Sequence, residues 1–596
     1  MLYLVMGVTG CGKTTIGAEL AERLDLPFYD ADAFHPPANR AKLARNEPLD
    51  DDDRRPWLER LASHVPRWEA RGGAVLACSA LKESYRRVLL GAASRSRVIF
   101  VDVPRDAVRK RLDGRRGRHP LVHDFDRIVE GQFRDLERPE GALVVAGERT
   151  VVDIVGDLLR TLEAEGSVTP RRLRLATGSA SDVLDAARTE AAIDALLSSL
   201  GPLRRVLLLP PDHTRFHSAA GELTSLLYQR LAAAGCHVAI MPAVGTHVAM
   251  TAVELGRMFP GVPRGAFVHH DFLRGLEPLG EVPGTFVADV SGGRLDYPIR
   301  CEVDELLVRG GWDRIVSVGQ LVPNEVVGIA NHNKNVFVGV GGKDIIDKTH
   351  FLGAVCNMES IMGLSQSPVR EVFNFMSAEF GPKLPPITYL LTVRQRTSSG
   401  IVTRGLYAGD DEGCFFAGAK LARRVNVDRL PRRLRKVVVY LDPHEFKSTW
   451  LGNKAVYRTR MALADGAELL VLAPGVDRFG EDRAIDALIR RHGYRGTPHV
   501  LDSVARDPEL AASLAAAAHL IHGSSEGRFA ITYATSDALS KAEVTSVGYA
   551  HEAYETAARR YDPAVLRDGV QVMPDGEEIF YVSNPALGLW AADPPA

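Results

Sequence analysis

An apolar run, Leu2–Met6, ends directly in Gly7-Val-Thr-Gly-Cys-Gly-Lys-Thr14, and a helix-like stretch, Thr15–Leu24, follows. This succession of strand, glycine loop and helix constrains the chain more than any other feature. Gly7, Gly10 and Gly12 let successive backbone N–H groups curl around phosphate oxygens, and the start of the helix adds a favourable dipole. Lys13 has the reach for β- and γ-phosphates, while Thr14, followed by Thr15, offers a hydroxyl to Mg²⁺. The N-terminal part is therefore expected to bind ATP and Mg²⁺ on an α/β unit with a parallel sheet.

At 596 residues the chain is long enough for three or four cores. Charge nearly cancels, with 75 acidic against 73 Lys and Arg residues, so no field is available to hold nucleic acid or an anionic membrane. No stretch approaches the ~20 apolar residues of a membrane span, and the N-terminus lacks the basic flank and cleavage site of a secretory signal. A cytoplasmic location is expected. Cys11, Cys78, Cys236, Cys301, Cys356 and Cys414 are scattered without a CxxC pair, which reads as buried thiols rather than structural zinc or disulfides.

Strand-like runs alternate with amphipathic stretches throughout, as at Ala74–Cys78, Val98–Val103, Val206–Leu209, Val238–Met241, Arg314–Val318 and Val437–Leu441. Such alternation predicts α/β layering with parallel sheets. A helix-like stretch ends in Gly166-Ser-Val-Thr-Pro170, and the basic Pro431-Arg-Arg-Leu-Arg-Lys436 precedes a strand. These breaks predict domains over 1–165, 171–430 and 431–596. Asp50-Asp-Asp-Asp53 reads as a solvated loop.

The phosphate loop does not say what is phosphorylated. Around it, Tyr29-Asp-Ala-Asp-Ala-Phe-His-Pro-Pro37, Pro48-Leu-Asp-Asp-Asp-Asp-Arg54 with Pro56-Trp57-Leu58, Ala77-Cys-Ser-Ala-Leu-Lys82 with Tyr85-Arg86, and Gln132-Phe133 with Leu136-Glu137 closely resemble the gluconokinase family over residues 1–160. The resemblance implies phosphorylation of gluconate to 6-phosphogluconate. Asp32, at the end of the second expected strand, is the candidate for orienting the hydroxyl and accepting its proton. Arg54 and Arg86 are candidate clamps for the substrate carboxylate, with His35 as a further contact. The basic stretch Arg111–Arg118 resembles a lid, and which of its arginines assists transfer is open. Asn46, where the family has glycine, and Arg118-His119-Pro120 depart from the pattern.

From about residue 171 a second set of motifs begins. Pro211-Asp-His-Thr-Arg215, Gly245-Thr-His247 with Met250-Thr251, and His270-Asp271 resemble, in order, the opening motifs of the nickel-dependent lactate racemase family. That resemblance implies a nickel-pincer nucleotide, a pyridinium tethered to a lysine, with one histidine on the metal. In the register of Pro323-Asn-Glu-Val-Val-Gly-Ile-Ala-Asn-His-Asn-Lys334, the tethering lysine is Lys334, and the nickel histidine is His350, sixteen residues on. Trp450-Leu-Gly-Asn-Lys454 resembles the motif that brings a substrate-contacting lysine from the smaller C-terminal domain.

Inverting C2 of a 2-hydroxy acid requires removal of a hydride and a hydroxyl proton and return of hydride to the opposite face. The hydride sink must be a cofactor, and imidazole suits the proton. The resemblance assigns His247 to acid/base work, Asp212 and Arg215 to cofactor and substrate positioning, and Lys454 to the carboxylate. Asn324 stands where the family has its second acid/base histidine, and an amide transfers no proton at neutral pH. Either the second base has moved, to His332, His269 or His270, or one histidine serves both directions, or the domain is inactive. The amide also points to a substrate with more hydroxyls than lactate.

Gluconate is itself a 2-hydroxy acid whose C2 epimer is mannonate. The expected function is bifunctional, with C2 epimerisation of D-gluconate and D-mannonate alongside phosphorylation of gluconate. The alternatives are a racemase of another 2-hydroxy acid or a non-catalytic sugar-acid sensor. Expected partners are sugar acids, ATP and the enzymes that build the cofactor.

Overall fold

The computed structural model describes residues 1–592 apart from 25, 46, 48, 71–72, 114–124, 166–172 and 398–399. Asn46 and the Arg118-His119-Pro120 stretch therefore lie outside the described residues, as does most of the basic lid. The chain divides into two compact units, Met1–Arg172 and Leu173–Ala596. Among the described residues no helix is long and apolar enough to cross a membrane. All six cysteines are free and buried.

The first unit is a five-stranded parallel sheet built from β1 (Leu2–Met6), β2 (Phe28–Asp30), β3 (Ala74–Cys78), β4 (Ser96–Asp102) and β5 (Leu143–Ala146), in the order β2-β3-β1-β4-β5. The uninterrupted apolar run of β1 is what a central strand covered on both faces requires. Its side chains alternate between two cores. Tyr3 and Val5 pack with Ile16, Leu20 and Leu158 on one face. Leu2, Leu4 and Met6 pack with Trp57, Leu61 and Trp68 on the other.

The acidic run expected as a loop instead opens the helix Asp51–Ala70. Carboxylates are favoured at the positive end of a helix dipole, and here two of them also find cations, Asp53 at 2.6 Å from Lys42 and Asp51 at 2.8 Å from Lys82.

The second unit holds two six-stranded sheets on either side of the expected division near residue 431. In the first, Leu175–Gly178, Gly400–Gly409, Ile387–Thr397, Arg314–Gln320, Arg205–Leu209 and His237–Ile240 are adjacent in that order. The last four run parallel; Gly400–Gly409 is antiparallel to both its neighbours, so the edge strand Leu175–Gly178 runs in the direction of the four. The second sheet is ordered Ala550–Ala553, Ala530–Thr535, Leu463–Ala473, Leu434–Tyr440, Glu578–Val582 and Gly569–Val572, with only the last strand antiparallel.

One continuous core runs from Leu207 through Phe373 and Val437 to Val582. Polar contacts span the same division. Glu359 takes Arg460 at 3.0 Å and Arg528 at 2.5 Å, and Arg458 Nη1 donates to the Pro323 carbonyl at 2.9 Å. The parallel strands Arg205–Leu209, His237–Ile240 and Arg314–Gln320 end on the same side, and their carboxyl ends lead into Pro211–Arg215, Ala243–His247 and Gln320–Glu325. The crevice beyond such strand ends is where open α/β sheets bind ligands.

Candidate functional site

In the first unit the phosphate loop joins β1 to the helix Lys13–Leu24. Gly7, Gly10 and Gly12 all hold positive φ, at 151°, 81° and 98°. A Cβ on Gly7 would come within 2.8 Å of both Cys11 Sγ and the Val101 carbonyl, so only glycine fits. The loop is braced from outside. Gln132 accepts from Thr9 N at 2.6 Å and donates to its hydroxyl at 2.9 Å, while Arg111 donates to the Cys11 carbonyl at 3.1 Å and to that of Gly147 at 2.6 Å.

Lys13 is only 8% exposed and, among the described residues, its ammonium makes no hydrogen bond or ion pair. A buried ammonium without a partner is costly, and an anion delivered to the loop removes that cost. Thr14 and Thr15 are exposed at the helix start. Thr14 Oγ1 donates to Asp30 Oδ2 at 2.9 Å, and Asp30 Oδ1 accepts from Asp32 N at 3.1 Å. Asp30, which sequence reasoning passed over in favour of Asp32, thus links the loop threonine to the Asp32 turn. Lys13, Asp30 and Asp32 all act electrostatically on the Cys78 thiol at the end of β3.

The other candidate residues divide. His35 is buried and stacks on Trp57, ring centres 4.4 Å apart, and Trp57 Nε1 donates to the Ala31 carbonyl at 2.9 Å, which pins the Asp32 turn. Arg54 lies over the Tyr85 ring at 5.7 Å and donates to the Leu49 carbonyl at 3.2 Å. Arg86 does not join it as a free clamp. It is 2% exposed, and its guanidinium donates to the Ala80 and Leu81 carbonyls at 3.0 and 2.9 Å and pairs with Glu83 at 2.8 Å. Nη1 is spent on the loop after β3, and the Nε–Nη2 edge that would hold a substrate carboxylate already holds Glu83.

In the second unit a cavity of about 240 Å³ opens at the strand ends, and Asp212, Arg215, His247, Asn324, Lys334 and His350 all line it. Asp212 caps the turn His213–Ser218, accepting from Thr214 N at 3.2 Å and its hydroxyl at 2.5 Å. Its other oxygen lies 2.6 Å from His247 Nδ1. Asp212 is buried and His247 is half exposed, with side-chain exposures of 3% and 52%. Burial pushes the Asp212 carboxyl up, yet the His247 bond and charge prevail and hold it below the usual carboxylate range.

Lys334 sits in the short helix Asn333–Phe337 and His350 in Lys343–Val355. Burial lowers the Lys334 amine to about 8, partly opposed by Glu325. Among the described residues the amine makes no hydrogen bond. A desolvated, unengaged lysine of this kind is nucleophilic near neutral pH. His350 Nδ1 donates to the Ile346 carbonyl at 2.6 Å, leaving Nε2 available, and burial first, then Lys334, lowers the ring to about 4. A neutral imidazole oriented through its other nitrogen is the form that ligates a metal. Among the described residues no group of three or more His, Cys, Asp or Glu side chains stands together as a metal site.

Lys454 begins the helix Lys454–Thr459. It does not line the cavity, but Arg215 and Glu325, which do, are among its electrostatic neighbours; burial, the largest influence, lowers its amine. The preceding Asn453 is held by the Tyr533 and Tyr549 hydroxyls at 2.7 and 3.0 Å.

The candidate replacements for the second histidine are not in the cavity. His332 is buried with its ring 3.8 Å from that of Tyr389 and 5.4 Å from that of Phe415, and Nε2 donates to the Asp411 carbonyl at 3.2 Å. Burial and then Arg370 lower it to about 3. It and Asn331 both hold positive φ, 60° and 69°, at the turn that leads to Lys334. His270 is buried with both nitrogens engaged, by Asp304 at 2.9 Å and the Gly341 carbonyl at 3.2 Å, and His269 is exposed outside the lining.

Asn324 spends its carbonyl on the Val326 and Val327 amides, each at 3.1 Å, so it is a turn-former more than a polar arm. Its neighbour Glu325 was missed. It lines the cavity and is half-buried; loss of water favours its neutral form, but Arg458 above all, then its own backbone amide, His522 and Lys334, hold it at about 2. Nothing in a single carboxylate beside an asparagine marks it in sequence.

Comparison with known proteins separates the two units. The shikimate kinase family model matches residues 9–142. The gluconokinase of Gluconobacter oxydans is 37% identical over 166 residues, which are 27% of this chain and 91% of that protein. Over a larger share of the chain, a crystal structure of a Thermotoga maritima protein matches with TM-score 0.58 at 22% identity, over 69% of this chain and 99% of that one. The lactate racemase apoprotein of Thermoanaerobacterium thermosaccharolyticum gives TM-score 0.49 at 16% identity, over 65% and 87% of the two chains. With the phosphate loop, its bracing and a relative matched over nearly its full length, the chain belongs, through its N-terminal unit, to the gluconokinase family.

Proposed function

We propose that the chain is a bifunctional sugar-acid enzyme: the first unit transfers phosphate from ATP to gluconate, and the second inverts C2 of a 2-hydroxy acid, interconverting D-gluconate and D-mannonate. The observation that carries the second half is one cavity shared by an Asp212–His247 pair, an unengaged low-pKa lysine and a histidine with one nitrogen free.

In the first unit, Lys13 and the loop amides meet the phosphates, Thr14 with Asp30 takes Mg²⁺, and Asp32 receives the proton of the attacking hydroxyl. In the second, Lys334 and His350 are the residues to hold a nickel-pincer nucleotide, with the remaining metal ligands coming from the nucleotide itself. That group, when bound, supplies the hydride acceptor that side chains lack. Asp212 fixes the ring of His247 through Nδ1, so that Nε2 exchanges a proton with the C2 hydroxyl of the epimer that faces it. Arg215, with Lys454 nearby, supplies positive charge for the substrate carboxylate. One polypeptide keeps both activities in equal amount on a shared intermediate.

The test is incubation of cofactor-loaded protein with gluconate, without ATP, in deuterated and ordinary water. Mannonate that carries no solvent deuterium at C2 is the expected product. Absence of product from every sugar acid tried rejects epimerisation in favour of a sensing role.

A further inference from the structure

The epimerase reading leaves one chemical role unfilled. Hydroxyls of the two C2 epimers point to opposite sides when the carboxylate and C2 are held alike, so a single base on one wall serves one epimer. The ionisable residues lining the cavity are Asp212, Arg215, His247, Glu325, Lys334 and His350. Asp212 is committed to His247 and Thr214. Arg215 stays protonated in any protein. Lys334 and His350 are the candidate anchor and metal ligand.

Resting on that reading, we infer that Glu325 is the second proton-transfer residue, serving the epimer that His247 does not. Its place in the chain supports the assignment, because it follows Asn324 and lines the same cavity as His247. Its surroundings also suit it. Asn324 Nδ2 donates to Glu325 Oε2 at 3.3 Å and steadies one oxygen. Arg458, tied by the Pro323 carbonyl, and His522, whose Nε2 is buried without a partner among the described residues, act on the carboxylate from the second sheet's side.

The step balances simply. The substrate O–H bond breaks, a carboxyl O–H bond forms on Glu325, and the O–H electron pair becomes the second bond of the C2 carbonyl. The C2 hydrogen leaves with its own pair to an electron-poor pyridinium-type acceptor. A hydroxyl oxygen becoming a carbonyl oxygen is strongly acidic, so a carboxylate is base enough. Return of the pair to the other face, with protonated His247 giving its Nε2 proton to the C2 oxygen, completes the inversion, and exchange with solvent then takes the proton from Glu325 and restores the one on His247.

The test uses Glu325→Gln, which keeps size and hydrogen bonding but accepts no proton, with His247→Asn as its mirror. Cofactor-loaded wild-type and variant proteins receive D-gluconate or D-mannonate in separate single turnovers, quenched with borodeuteride so that bound 2-keto acid is counted as C2 deuterium. Wild type is expected to give label from both epimers. Each variant should give it from one only, a different one in each, with the silent side down at least ~100-fold. Nickel content and the Lys334 adduct mass should match wild type in both.

Label from both epimers in Glu325→Gln at wild-type level overturns the assignment. So does label from neither while His247→Asn still labels one, and so does failure of Glu325→Gln to load, which makes Glu325 part of the cofactor seat. Wild type that labels from neither epimer overturns the epimerase reading itself, and the assignment with it.

Discussion

His247 Nδ1 lies 2.6 Å from a buried Asp212 oxygen whose partner oxygen is held by Thr214, so the ring has one orientation and presents Nε2 to the cavity. Replacing the carboxylate by an amide leaves the shape and removes the preference for the Nδ1–H tautomer. Asp212→Asn is expected to lower epimerisation by roughly a hundredfold to ten-thousandfold with little change in melting temperature. Progress curves of gluconate-to-mannonate conversion, alongside thermal unfolding, measure both.

Lys334 carries a pH signature. Its amine titrates at about 8 in the fold and near the ordinary 10.5 when unfolded, so between those values the unfolded chain binds more protons. Stability of the cofactor-free protein therefore rises with pH across that window, with the cost of burying the cation fully present below it. Lys334→Met should flatten the rise in urea midpoints. Acylation of Lys334 by a small active ester, followed by peptide mass, should reach half its maximal rate near pH 8, well below that of surface lysines.

Arg86 is expected to act on stability more than on substrate affinity. Arg86→Leu strands the Ala80 and Leu81 carbonyls and should cost about 2–4 kcal/mol in urea unfolding of the first unit. A large rise in the gluconate KM with unchanged stability would instead return it to the substrate.

Lys13→Met should lower phosphoryl transfer by at least ~1000-fold if, as proposed, the buried ammonium meets the phosphates. Epimerisation should continue at the wild-type rate. Paired assays on one preparation check that the two chemistries are separable.

How much of this was readable follows from the kind of signal each residue leaves. Lys334 and His350 are legible only through the register that the resemblance to the lactate racemase family implies, and both line one cavity. The alternation of β1 between two cores was implicit in a wholly apolar strand. His332 and His270 misled because nearness in sequence does not say on which side of a turn a ring falls; packing against Tyr389 and the Asp304 bond decide that. Asp30 and Glu325 were passed over because a lone carboxylate leaves no pattern, and only the folded chain sets one beside Thr14 and the other in the cavity.

The turn before Lys334 gives His332 a different occupation. Two successive non-glycine residues at positive φ are disfavoured by about 1–3 kcal/mol each, so the surroundings must impose the bend. A ring lodged beside Tyr389 and Phe415 and tied to the Asp411 carbonyl does so. The imidazole behaves as a peg, turning aromatic packing into a fixed bearing for the amine two residues on. Glycine would enter the same bend freely and leave it as freely, and the lysine would lose its aim.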